Sequence, residues 1–122
     1  MFHWANYIRS KANAPNIFAI SDSGIFLNAP TQSGTHFTLI YFQNMLKLSN
    51  VNAAPPSQEC VNVYPTNFPL CMFAENIWMH IHVPLFSIMS NYDSFAIPGV
   101  LGIKCLNGVS LGGCTAPQKN FI

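Results

Sequence analysis

Proline and glycine interrupt this chain so often that long regular elements are not expected: nine Pro and seven Gly fall within 122 residues. Each proline fixes φ and removes a backbone donor, and each glycine frees the backbone to turn. Between the breakers, four stretches read as short strands: Gly24 to Leu27, Thr35 to Phe42, Cys60 to Tyr64 and Ile77 to Val83. Thr35 to Phe42 is the strongest of them, because Phe37, Leu39 and Tyr41 alternate with His36, Thr38 and Ile40 at period two. A competing helix uses Leu39, Phe42, Met45 and Leu46 at three-to-four spacing, and the β-branched and aromatic content tips the first half toward strand.

The expected fold class is a small β-leaning or α+β chain with short strands and much irregular structure, in which a single stable fold is itself in question. Asn and Pro between the strand candidates favour turns, so antiparallel neighbours are expected over crossovers. Residues 1–122 read as a single region, with a loop or linker over 49–58, where Asn50, Asn52, Pro55, Pro56 and Ser57 follow closely.

Charge is scarce. Only 7% of residues are charged and the formal net charge is +1, against roughly 25% charged residues in an ordinary soluble domain. Half the chain is apolar, so the low-hydrophobicity, high-charge signature of a solvated disordered protein is absent. Little electrostatic repulsion then opposes self-association near neutral pH.

No nucleic acid is expected as a partner, because Arg9, Lys11, Lys47, Lys104 and Lys119 form no cluster larger than two and phosphate binding needs many clustered cations. No transmembrane span is expected either. The stretches Ile77 to Met89 and Phe37 to Leu48 are interrupted by polar residues or proline, short of the roughly twenty apolar residues a span requires. The segment after Arg9 and Lys11 carries Asn13, Pro15 and Asn16, which is not the apolar core of a secretory signal. A protein partner or self-association is the remaining expectation for contacts.

The spacing of Cys60, Cys71, Cys105 and Cys114 matches no paired Cys-x-x-Cys zinc motif. Without a secretory signal the expectation is four reduced, mostly buried thiols. The glycines from Gly99 to Gly113 form neither a Walker-type loop nor a dinucleotide fingerprint.

One pair of residues carries plausible chemistry. On a strand over Ile77 to Val83, His80 and His82 share a face and can converge on one ion. Neutral imidazoles suit zinc or another divalent transition metal. A third ligand would come from His36, His3, Glu75, Asp93 or a cysteine, and Glu75 or Asp93 could orient a ligand or act as a base. The pair resembles histidine-triad and cupin-type motifs, yet Pro84 stands where the first has a third histidine, and Phe86 and Ser87 where the second has Glu. No family is recognised on these residues.

The leading expectation is therefore an uncharacterised small protein, the product of a weakly constrained open reading frame with no biochemical activity and no cofactor, and not an enzyme. Foldable sequences show agreement between period, turn chemistry and element length, and little such agreement is visible here. The alternatives are a partner-bound or membrane-adherent protein and a β-rich metal-binding protein using His80 and His82.

Overall fold

The computed structural model describes residues 2–12, 16–49, 57–106 and 110–122. Helix α1 spans Phe2–Lys11, strand β1 Ala19–Asp22, helix α2 Phe37–Leu48, helix α3 Gln58–Val63, helix α4 Ala74–Ile77, strand β2 Leu85–Ile88 and helix α5 Ala116–Phe121. Two 3₁₀ turns, Phe68–Met72 and Trp78–His80, flank α4, and a π-type turn covers Ala96–Val100.

The strands pair in parallel, with Ala19 opposite Leu85 and Asp22 opposite Ile88. This corrects the antiparallel expectation. Parallel neighbours cannot be joined by a hairpin and need a crossover, which here carries α2, α3 and α4. Pro84 sits just before β2, where its missing N–H is not needed for the ladder. Its carbonyl still accepts from Ala19 N at 2.9 Å, and Ile88 O accepts from Ser23 N at 2.9 Å. Ala19 and Ser21 face inward while Ile20 and Asp22 face out.

The other expected strands are not strands. Thr35 to Phe42 contributes most of its residues to α2, so the competing helix is the one that forms. The buried side is Thr38, Phe42 and Leu46, three residues spaced by four, which is one face of a helix. Tertiary packing decides this: Phe42 meets Phe26 and Phe73 edge-to-face, at ring separations of 5.5 and 5.4 Å, and Phe26 meets Phe95 at 5.9 Å. Such pairs contribute about 0.5–1.5 kcal/mol each beyond area burial. Lys47 lies in the last turn, where a cation complements the helix dipole.

Cys60 to Tyr64 is largely helix α3, begun by Ser57, whose hydroxyl accepts from Cys60 N at 3.4 Å. Ile77 to Val83 divides between the end of α4, a 3₁₀ turn and irregular chain, and Gly24 to Leu27 is irregular. Of the loop expected over 49–58, residues 50–56 lie outside the described residues.

All four cysteines are oxidised, as Cys60–Cys71 and Cys105–Cys114, which corrects the expectation of reduced thiols. The first disulfide joins α3 to the 3₁₀ turn before α4, in the part of the chain that also buries Phe73 and Ile77. Asn76 reinforces the junction: its side chain donates to Leu70 O at 3.1 Å and accepts from Tyr64 Oη at 3.1 Å. The second disulfide lies within a cluster of Ile97, Ile103 and Cys114, packed by Leu101, Leu106 and Leu111. A third group, Ala5, Ala19 and Val83 with Ile17, Ile81 and Leu85, seats α1 against the sheet.

Candidate active site

The carboxyl ends of parallel strands are where ligands bind in α/β sheets, and here both ends open on one small cavity of about 220 Å³. Ser23, next after β1, and Asp93, five residues after β2, both line it, with Phe26, Met89 and Phe95 as apolar wall.

Asp93 is held by its own backbone. Its Oδ1 accepts from Phe95 N at 2.9 Å and Ala96 N at 2.6 Å, so the carboxylate is fixed at the mouth of the π-type turn. Pro98 supplies no donor in that turn, and Leu101 N reaches back five residues to Ala96 O at 3.0 Å. Turns of this kind recur at functional sites. The second oxygen, Oδ2, accepts no hydrogen bond among the described residues, which leaves it available to a base or ligand.

Ser23 is the non-glycine residue with positive φ among the described residues, at +53°. Left-handed backbone at such a residue costs of order 1–3 kcal/mol and concentrates at functional sites. The sharp turn is permitted by Gly24, where a Cβ would come within 2.6 Å of the Ser21 hydroxyl. The Ser23 hydroxyl donates to Asp22 Oδ1 at 3.1 Å.

The histidines lie elsewhere. His80 and His82 are not on a strand; they flank Ile81 at the end of the 3₁₀ turn. Both approach Glu59 of α3: His82 Nε2 is 2.8 Å from Oε2, and His80 Nδ1 is 3.7 Å from the same oxygen. Among the described residues no group of three His, Cys, Asp or Glu is arranged to hold a metal ion. The cysteines are bound to one another, and the side chain of His3 lies outside the described residues. His36 Nδ1 sits 2.9 Å from Asn28 Oδ1, while Asn28 N donates to Glu75 Oε1 at 2.9 Å. Of the two acids expected to orient a ligand or act as a base, Glu75 and Asp93, only Asp93 lies at the strand ends.

A larger, open cavity of about 670 Å³ lies between the Thr31–Thr35 turn and the chain around Gly99 and Gly102.

A model of the pectinacetylesterase family matches residues 1–121. The chain belongs to the pectinacetylesterase family. Three expectations are thereby corrected: that the chain is the product of a weakly constrained reading frame, that it has no biochemical activity, and that it is not an enzyme. A match over nearly the whole sequence points to a hydrolase of the esterase type. No solved structure matches the chain.

As a member of the pectinacetylesterase family, the chain offers hydroxyls and carboxylates for acyl transfer, and one serine pattern calls for a test. Gly108-Val109-Ser110-Leu111-Gly112 has the Gly-x-Ser-x-Gly form of a nucleophile elbow, a signal legible in the sequence that the expectations above leave out. An elbow requires a helix starting at the serine. Here Ser110 is followed by a turn in which its hydroxyl accepts from Gly112 N at 3.1 Å, and then by the Cys114 disulfide; α5 begins only at Ala116. The local structure of an elbow is therefore missing after Ser110.

Proposed function

We propose that the protein hydrolyses acetyl esters of pectin and that Asp93 is a carboxylate of its active site. The observation that carries the first half is the match to the pectinacetylesterase family over residues 1–121.

The second half rests on geometry. Ester hydrolysis needs an acceptor for the proton of the attacking hydroxyl or water, and a carboxylate held in place can serve as that general base. Such a base must be rigid before substrate arrives. Asp93 has two backbone donors on one oxygen, a free second oxygen, partial burial and a position after a parallel strand. Glu59 lacks these properties: it is well exposed on a helix surface beside His82. Glu75 is exposed, has a single backbone donor among the described residues, Asn28 N, and does not line the cavity at the strand ends.

Acetate release by the full-length protein from acetylated pectin tests the reading. Asp93→Asn keeps the hydrogen bonds to Phe95 and Ala96 but removes the charge, and a loss of about 10²–10⁴ in kcat with KM little changed is expected. Retention of more than a tenth of the wild-type rate overturns the assignment of Asp93. Absence of acetate release by the wild type overturns the activity.

Two disulfides support passage through an oxidising compartment. Free-thiol titration of protein purified from its source, without reductant, is expected to find no reactive cysteine.

A further inference from the structure

From the larger cavity we infer a sugar subsite: the groove between the Thr31–Thr35 turn and Gly99–Lys104 binds a de-esterified galacturonate unit of the pectin chain, with Lys104 on its carboxylate. The inference rests on the esterase reading and names the part of the polymer that this surface holds.

The cavity has the dimensions of a ligand site, at about 670 Å³ against roughly 300–1,000 Å³ for such sites. Its lining combines three features that a uronic acid requires. One wall is a fan of hydroxyls: Thr31 Oγ1 lies 2.9 Å from Ser33 Oγ, which lies 3.5 Å from Thr35 Oγ1, and Gln32 lies between. Vicinal sugar hydroxyls are matched by such paired donor–acceptor groups. The half-exposed Phe37 ring, at the start of α2, offers an apolar face to the C–H side of a pyranose.

Lys104 is the only cation of the lining. All four acidic side chains of the protein are among the described residues, and none lies within ion-pair distance of Lys104. Its charge is thus available to a ligand carboxylate in a chain where cations are rare.

The site is built before any ligand arrives. Thr31 N donates to Thr35 O at 2.8 Å, Gly34 N to Thr31 O at 2.8 Å, and Thr35 N to Thr31 Oγ1 at 3.1 Å. Gln32 N donates to Leu101 O at 3.1 Å, tying the Thr31–Thr35 turn to the segment that carries Gly102. Gly34 and Gly102 both hold positive φ, +83° and +72°, and a Cβ on Gly102 would press on Thr31 at 3.4 Å. Preorganisation of this kind lowers the ordering cost of binding.

The test is calorimetric titration of the full-length protein with an unacetylated oligogalacturonate and with a neutral galactan oligomer of equal length. Binding of the acidic oligomer only, weakened by salt, is expected. Lys104→Gln is expected to weaken it about tenfold or more, the worth of a hydrogen bond to a charged group, with the thermal midpoint unchanged. Phe37→Ala is expected to weaken it as well. Equal affinity for the neutral oligomer, no binding of the acidic one, or unchanged affinity in Lys104→Gln overturns the subsite. Wild-type acetate release from a small aryl acetate, measured alongside, separates the two ideas. Release without oligogalacturonate binding sinks the subsite alone, whereas Lys104-dependent binding without release upholds the subsite and sinks the esterase reading.

Discussion

Two residues with unusual backbone requirements bracket the chemistry. At Ser23 a side chain occupies a conformation that glycine would adopt freely, so the serine is kept at a cost. Ser23→Gly is expected to leave stability within about 0.5 kcal/mol, because relief of strain and added unfolded-state entropy oppose each other. Ser23→Val, with branching at Cβ, is expected to destabilise by about 1–3 kcal/mol. Denaturant midpoints of the two variants check this, and equal midpoints would show that the turn is not strained. Gly102 poses the opposite case: positive φ and the nearby Thr31 methyl make Gly102→Ala costly, about 1–2 kcal/mol. Neither residue announces itself in the sequence. Asp93 is conspicuous there as one of only four acids, but its anchoring by Phe95 and Ala96 depends on a turn that no periodicity reveals. The His80–His82 spacing is legible and its partner is not, since Glu59 reaches both from the first turn of a helix that runs on into the expected Cys60 to Tyr64 strand.

At the scale of elements, period and packing disagree, and packing wins. Phe37, Leu39 and Tyr41 alternate as a strand would, yet Phe37 and Tyr41 are exposed while Phe42 is buried. What turns this stretch into α2 is the Phe26, Phe42 and Phe73 cluster, whose members are far apart in sequence. Phe42→Ala is therefore expected to cost about 3–5 kcal/mol, more than any substitution on the exposed side of α2. Thermal unfolding of Phe42→Ala beside Tyr41→Ala tests it; comparable losses would mean that the cluster does not hold the helix. The two strands are hidden in the sequence for another reason. Each is four residues long, and their parallel pairing spans an entire crossover that local turn chemistry cannot signal. Local pattern makes Pro84 the end of a strand, whereas it stands before one. The Ser57 cap of α3 and the Thr115–Gln118 capping box of α5 correct the expectation that helix caps are absent, since residue type and spacing do carry them.

For the molecule as a whole, the scarcity of charge leaves exposed apolar surface with little electrostatic protection. Parallel sheets are ordinarily covered on both faces. Here one face rests on Ala5 and Val83, while on the other Ile20 and its ladder partner Phe86 are 64% and 66% exposed, with Ile88 exposed beside them and Phe18 just before β1. Among the described residues the sheet has only two strands, and open edges are templates for further pairing. With a net charge of +1, little repulsion opposes contact between such faces. Self-association through this surface is the expected behaviour at high protein concentration, driven by apolar burial and so insensitive to salt screening. The double variant Ile20→Thr, Phe86→Ser removes the greasiest ladder pair without touching Ala19, Ser21 or the two disulfides. It is expected to stay monomeric at concentrations where the wild type associates, with a melting temperature within a few degrees of wild type. Sedimentation velocity over a concentration series measures this. If the variant associates as readily as the wild type, the contact surface lies elsewhere; if it also melts much earlier, Ile20 and Phe86 are packed in solution and the exposed face is not a free surface.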